Sequence, residues 1–135
     1  MRRYDRAALR RLAAATTRLV EAHNDDDRTP ETWASAVTEY AAAVTSLLRQ
    51  EIERGATLAN EHAAEITGRS VRVSPDLPNP AVYMDGVRAE LLSRGDPIPA
   101  ARVAVYLRDM PAQVYRDTLR WATMVASVEE EMSNQ

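Results

Sequence analysis

The strongest constraint on this chain is one helical period that runs almost unbroken from Thr29 to Gly68. Trp33, Val37, Tyr40, Val44, Leu47, Leu48 and Ile52 recur at spacings of three and four, and Leu58, His62 and Ile66 continue the series. That spacing places them along one side of an α-helix, whereas a half-buried strand would alternate every second residue. Thr29 can cap such a helix, and Pro30 suits its first position because the missing N–H would be unpaired there anyway. Gly68 suits its end. An unbroken helix of about 37 residues would be roughly 55 Å long, more than a small domain is wide. Either Gly55 breaks it or it projects, since a mid-helix glycine costs about 1 kcal/mol against alanine and so permits a break without requiring one.

The flanking segments are also helical in pattern. Residues 4–23 carry Leu9, Leu12, Thr16, Leu19 and His23 on one face, with Ala13 and Val20 beside them and Arg3, Arg6 and Arg10 opposite. A polar turn follows at 24–28. Residues 69–80 form a Pro-rich loop, with Val71 and Val73 alternating in one short extended piece. Asn79 and Pro80 then open a helix to about Ser93, with Met84, Val87 and Leu91 inward and Gly95 as the stop. Residues 100–108 fit a strand or a helix, with helix favoured. Residues 111–132 set Val114, Thr118, Trp121, Val125, Val128 and Met132 on one seam.

The expected fold is therefore all-α in a single domain over 1–135: a long helical hairpin, a Pro-rich crossover at 69–80, and a C-terminal helical cluster, about five helices together. Its core should be thin. Of 61 apolar residues 23 are Ala, and Leu, Ile, Val and Phe together number 26. With a net charge of only −3, the composition still suits an ordered helical chain rather than a disordered one.

Composition also excludes chemistry. The chain has no Cys, which removes thiolate metal sites, disulfides and Cys nucleophiles. All 17 basic residues are Arg, which removes Schiff-base lysines and the phosphate-loop lysine. A Lys-free, Ala- and Arg-rich chain is what a GC-rich genome tends to encode. No apolar run approaches the roughly 18 to 20 residues that cross a bilayer, and the basic N-terminus lacks a signal-type apolar stretch, so a cytoplasmic protein without membrane contact is expected.

Few constellations could carry a function. His23 and His62 both fall on or beside an apolar stripe, and neither has a Glu three residues before it, as a di-metal helical site would need. His23 to Asp27 gathers oxygen ligands but lacks a calcium loop's alternation and glycine, so it reads as a solvated turn or a cation contact. The four glycines are scattered, and no nucleophile elbow occurs. No cofactor and no metal are expected. The run from Val103 to Arg116 resembles a helix-turn-helix, with Ala104 in the first helix and Val114, Tyr115 and Arg116 in the second. In that reading Gln113, Arg116 and Arg120 would face base edges in the major groove. The alternative is an ordinary helical corner.

The six Arg among residues 1–18 form a solvated face, a partner for acidic surface, or a nucleic-acid or lipid contact. Glu129, Glu130 and Glu131 oppose the dipole of the last helix, so the first and last helices are expected to lie close, within one chain or between two. The stripe of Trp33, Val37, Tyr40, Val44, Leu48 and Ile52 exceeds what a thin core covers, which makes it the candidate interface of a two-fold dimer. The function expected is a non-enzymatic interaction or assembly module, such as an adaptor or connector subunit in a bacterial or phage assembly. The rival is a small DNA-binding regulator using 103–120.

Overall fold

The computed structural model describes residues 5–134. It is all-α: α1 spans Arg6–Asn24, α2 Pro30–Thr67, α3 Pro80–Arg94 and α4 Ala101–Ser133, with one 3-10 turn at Ile98–Ala100. Four helices stand where about five were expected. No strand forms among the described residues.

The helix ends follow local chemistry. Asp5 caps α1 by accepting from the Ala8 N–H at 2.9 Å, so the helix begins at Arg6, two residues later than the apolar pattern alone suggested. At the start of α2, Thr29 Oγ1 accepts from the Thr32 N–H at 3.1 Å and Thr32 Oγ1 accepts from the Thr29 N–H at 3.0 Å. This is a reciprocal capping box with Thr in the place of the usual Glu. Asn79 caps α3, and Gly95 ends it in the left-handed region that only glycine enters without strain.

Of the break left open at Gly55 and the one expected before Pro111, neither occurs. Helix α2 passes through Gly55, and α4 passes through Pro111. Residues 100–108 and 111–132 are thus one helix, and the turn that a helix-turn-helix needs between them is not formed. Met110-Pro111 reads in sequence as a helix start, but a mid-helix proline removes one backbone donor and crowds the carbonyl four residues back, a local cost of about 3 kcal/mol that does not by itself end a helix. The turns on either side keep their own bonds.

The chain divides into two compact units, each built from two separate segments: 1–50 with 79–107, and 51–78 with 108–135. The division does not fall at the Pro-rich loop alone, because α2 and α4 each contribute to both. In the first unit, Ala15 and Leu19 of α1, the stretch from Trp33 to Val44 of α2, Met84, Val87 and Leu91 of α3, and Val103 of α4 share one buried cluster. Trp33 donates its indole N–H to the Leu91 carbonyl at 2.9 Å. Arg28 lies 5.0 Å over that indole and donates to the Gly95 carbonyl at 2.8 Å, so the turn after α1 braces the C-terminal end of α3.

The residues of the interface expected from sequence are buried in the fold. Trp33, Val37, Tyr40 and Val44 belong to the buried cluster of the first unit, and Leu48 and Ile52 are buried as well. Burial pushes the Tyr40 phenol up to about 12. The stripe is wide, but α1, α3 and the first turn of α4 cover it in the first unit. On α1 the buried line is Leu12, Ala15, Leu19 and Ala22, while Leu9, Thr16 and Val20 face solvent. Leucine and alanine alternate along this line, so small residues let the helices approach closely between the larger ones.

Candidate interaction surface

The second unit rests on close backbone approach. A Cβ added at Gly55 would lie 2.8 Å from the Pro111 carbonyl oxygen, nearer than real side-chain contacts come. Further along, His62 Nδ1 is hydrogen-bonded to the Tyr115 hydroxyl at 2.6 Å, and Arg69 donates to Ser133 Oγ at 3.4 Å. Rising numbers on α2 meet rising numbers on α4, so the two helices run in the same sense here. Between them lie Ala56, Ala59 and Ala63 on one side and Ala122 and Ala126 on the other, all buried. Gly55 therefore has a packing role that periodicity alone could not reveal.

The segment after α2 closes this pair. Asn60 accepts from the Val73 N–H at 2.8 Å and donates to the Val73 carbonyl at 3.0 Å. The short extended piece expected at Val71 and Val73 is thus paired to a side chain instead of a strand, and Val71 is buried. Thr118 Oγ1 is buried with no hydrogen-bond partner among the described residues.

Two helices and one extended segment cannot cover every apolar face. On α4, Trp121 is 40% exposed, Met124 58%, Val128 51% and Met132 70%. At 100° per residue these four fall within an arc of about 80°, with the half-buried Val125 beside them. Trp121, Val128 and Met132 were expected on one seam with Val114, Thr118 and Val125. The structure buries Val114 and Thr118 of that seam together with Ala122 and Ala126, and leaves the stripe of larger residues on the neighbouring face. Contiguous apolar exposure of this kind marks interaction surfaces.

The other expected site residues are dispersed. Gln113, Arg116 and Arg120 are exposed on the continuous α4. Gln113 donates to Asp117 at 2.8 Å and accepts from Arg116 at 2.9 Å, so two of the three bond along their own helix. Arg108 donates to Asp109 at 2.7 Å, which holds the Asp109 carboxyl below its ordinary value. Arg6 and Arg10 lie exposed on α1, and Arg3 lies outside the described residues. Arg18 pairs with Glu39 of α2. Glu129, Glu130 and Glu131 are exposed and belong to the other unit from α1.

His23 Nδ1 lies 3.3 Å from the Gly95 carbonyl, and Asp25 accepts from the Asp27 N–H at 2.9 Å, so the polar turn bonds to protein atoms. Among the described residues no group of three or more His, Cys, Asp or Glu is placed to hold a metal ion, and no helix is long and apolar enough to cross a membrane. No protein-family model, no curated protein and no solved structure matches the chain.

Proposed function

We propose that this chain is a cytoplasmic, non-enzymatic helical module, an adaptor or connector subunit, that assembles by self-association through the C-terminal half of α4. The observation that carries this reading is the exposed stripe of Trp121, Met124, Val128 and Met132. It lies on a unit whose two helices meet largely through Ala and Gly, so the larger apolar side chains remain available for a partner. The stripe replaces the 33–52 face as the proposed interface, because that face is covered within the chain.

The test is sedimentation of the full chain from low micromolar to about 100 µM, a range that resolves weak dimers. The expected result is a monomer–dimer equilibrium that Met124→Glu suppresses while circular dichroism stays helical. A 15.0 kDa species at every concentration would overturn the reading. So would salt-sensitive binding to duplex DNA by the monomer, which is the behaviour of a phosphate-contacting regulator.

A further inference from the structure

We infer that the occupant of the α4 stripe is the same stripe of a second copy, laid antiparallel about a two-fold axis near residues 125 and 126. This rests on the self-association reading and adds the sense and register of the contact. Along α4, Arg120 and Glu131 lie about 80° and 60° to the same side of the stripe's centre, on the flank away from the buried face. Both are exposed, and no ion pair among the described residues engages either. They stand eleven residues apart, roughly 16 Å along the axis, too far to pair within one helix.

In an antiparallel pair related by a two-fold axis, each flank meets the same flank of the partner helix. Centring the axis midway between 120 and 131 therefore brings Arg120 of each copy to the level of Glu131 of the other, twice over. The same register sets Met124 beside Val128 and Trp121 near Met132 across the axis. A parallel pair would instead oppose the Arg120 flank to the flank that carries Thr118 and Ala122, which the second unit already buries. The antiparallel sense alone satisfies both charges and the apolar stripe. It also supplies what the second unit lacks: two copies, each with α2 and α4, bring four helices together, the smallest common helical assembly with a central core.

The experiment is sedimentation of the full chain as wild type, Arg120→Glu, Glu131→Arg, and an equimolar mixture of the two variants. Each single reversal replaces two attractions with two repulsions, so each is expected to weaken dimerisation about tenfold or more at low salt, and less at 0.5 M salt. In the mixture, one copy offers Glu at 120 and 131 and the other offers Arg at both, so both contacts are restored and a heterodimer of near wild-type strength forms. A wild-type dimer that neither reversal weakens, or a mixture that stays as weak as the single variants, would overturn the antiparallel register while leaving self-association standing. A wild-type chain that stays monomeric would overturn both.

Discussion

Replacing Gly55 with Ala tests whether α2 and α4 meet backbone to backbone. The new methyl would sit 2.8 Å from the Pro111 carbonyl oxygen, 3.7 Å from the carbon it belongs to and 3.7 Å from the Tyr115 nitrogen. Ordinary contact begins near 3.4 Å, so the helices would have to part by about 0.6 Å. The atom in the way is main chain and cannot rotate aside. Alanine gains about 1 kcal/mol over glycine inside a helix, while forcing an extra methyl into a packed contact costs about 1 to 3 kcal/mol.

Gly86 provides the control. It lies inside α3, is exposed, and an added Cβ there meets nothing within 4 Å. Gly86→Ala should therefore stabilise by the full propensity gain of about 1 kcal/mol. Because that gain is common to both substitutions, the difference between them isolates the steric cost, about 1 to 3 kcal/mol in favour of Gly86→Ala. Urea unfolding of the two variants measures it directly, and helical content should be unchanged in both. Equal stabilisation by the two substitutions would refute the close approach of α2 and α4.

Further outcomes follow from single contacts. Trp33→Phe keeps a ring in the core but removes the indole donor to Leu91 and shrinks the surface beneath Arg28, and should cost about 2 kcal/mol in denaturant unfolding. Asn60→Ala frees both main-chain groups of Val73, so hydrogen exchange at the Val73 amide should speed up and stability should fall by about 2 kcal/mol. Thr118→Val replaces an unpartnered buried hydroxyl with a methyl and should stabilise by about 1 kcal/mol; a loss of stability would mean that the hydroxyl is bonded. The hydrogen bond from the Ile98 N–H, and then Arg94, hold the Asp96 carboxyl below its ordinary value. Its ionised form is therefore the one folding favours: the contribution is complete above about pH 4 and is lost as pH falls through the lower folded value. The stability difference between wild type and Asp96→Asn should shrink across that acid range, and a constant difference would refute the assignment.

Much of this protein was legible in its sequence because helix formation is local. The period through Trp33, Val37, Tyr40 and Val44 identified α2, Thr29-Pro30 and Asn79-Pro80 marked two helix starts, and Gly68 and Gly95 marked two ends. These signals work because a cap or a left-handed terminus satisfies backbone groups within a few residues. What lay between distant segments was not legible. Gly55 and Pro111 each look like breaks when read alone, yet together they form a single close contact between two continuous helices. The stripe on α2 looked like spare surface because its cover comes from α1, α3 and α4, and which face a returning helix covers depends on packing rather than on periodicity. The shortage of large apolar residues was a composition fact; only tertiary structure decided that alanine would line the helix contacts and that Trp121, Met124, Val128 and Met132 would face outward. Local backbone chemistry determined the elements, and the volume between side chains determined which surfaces remained for a partner.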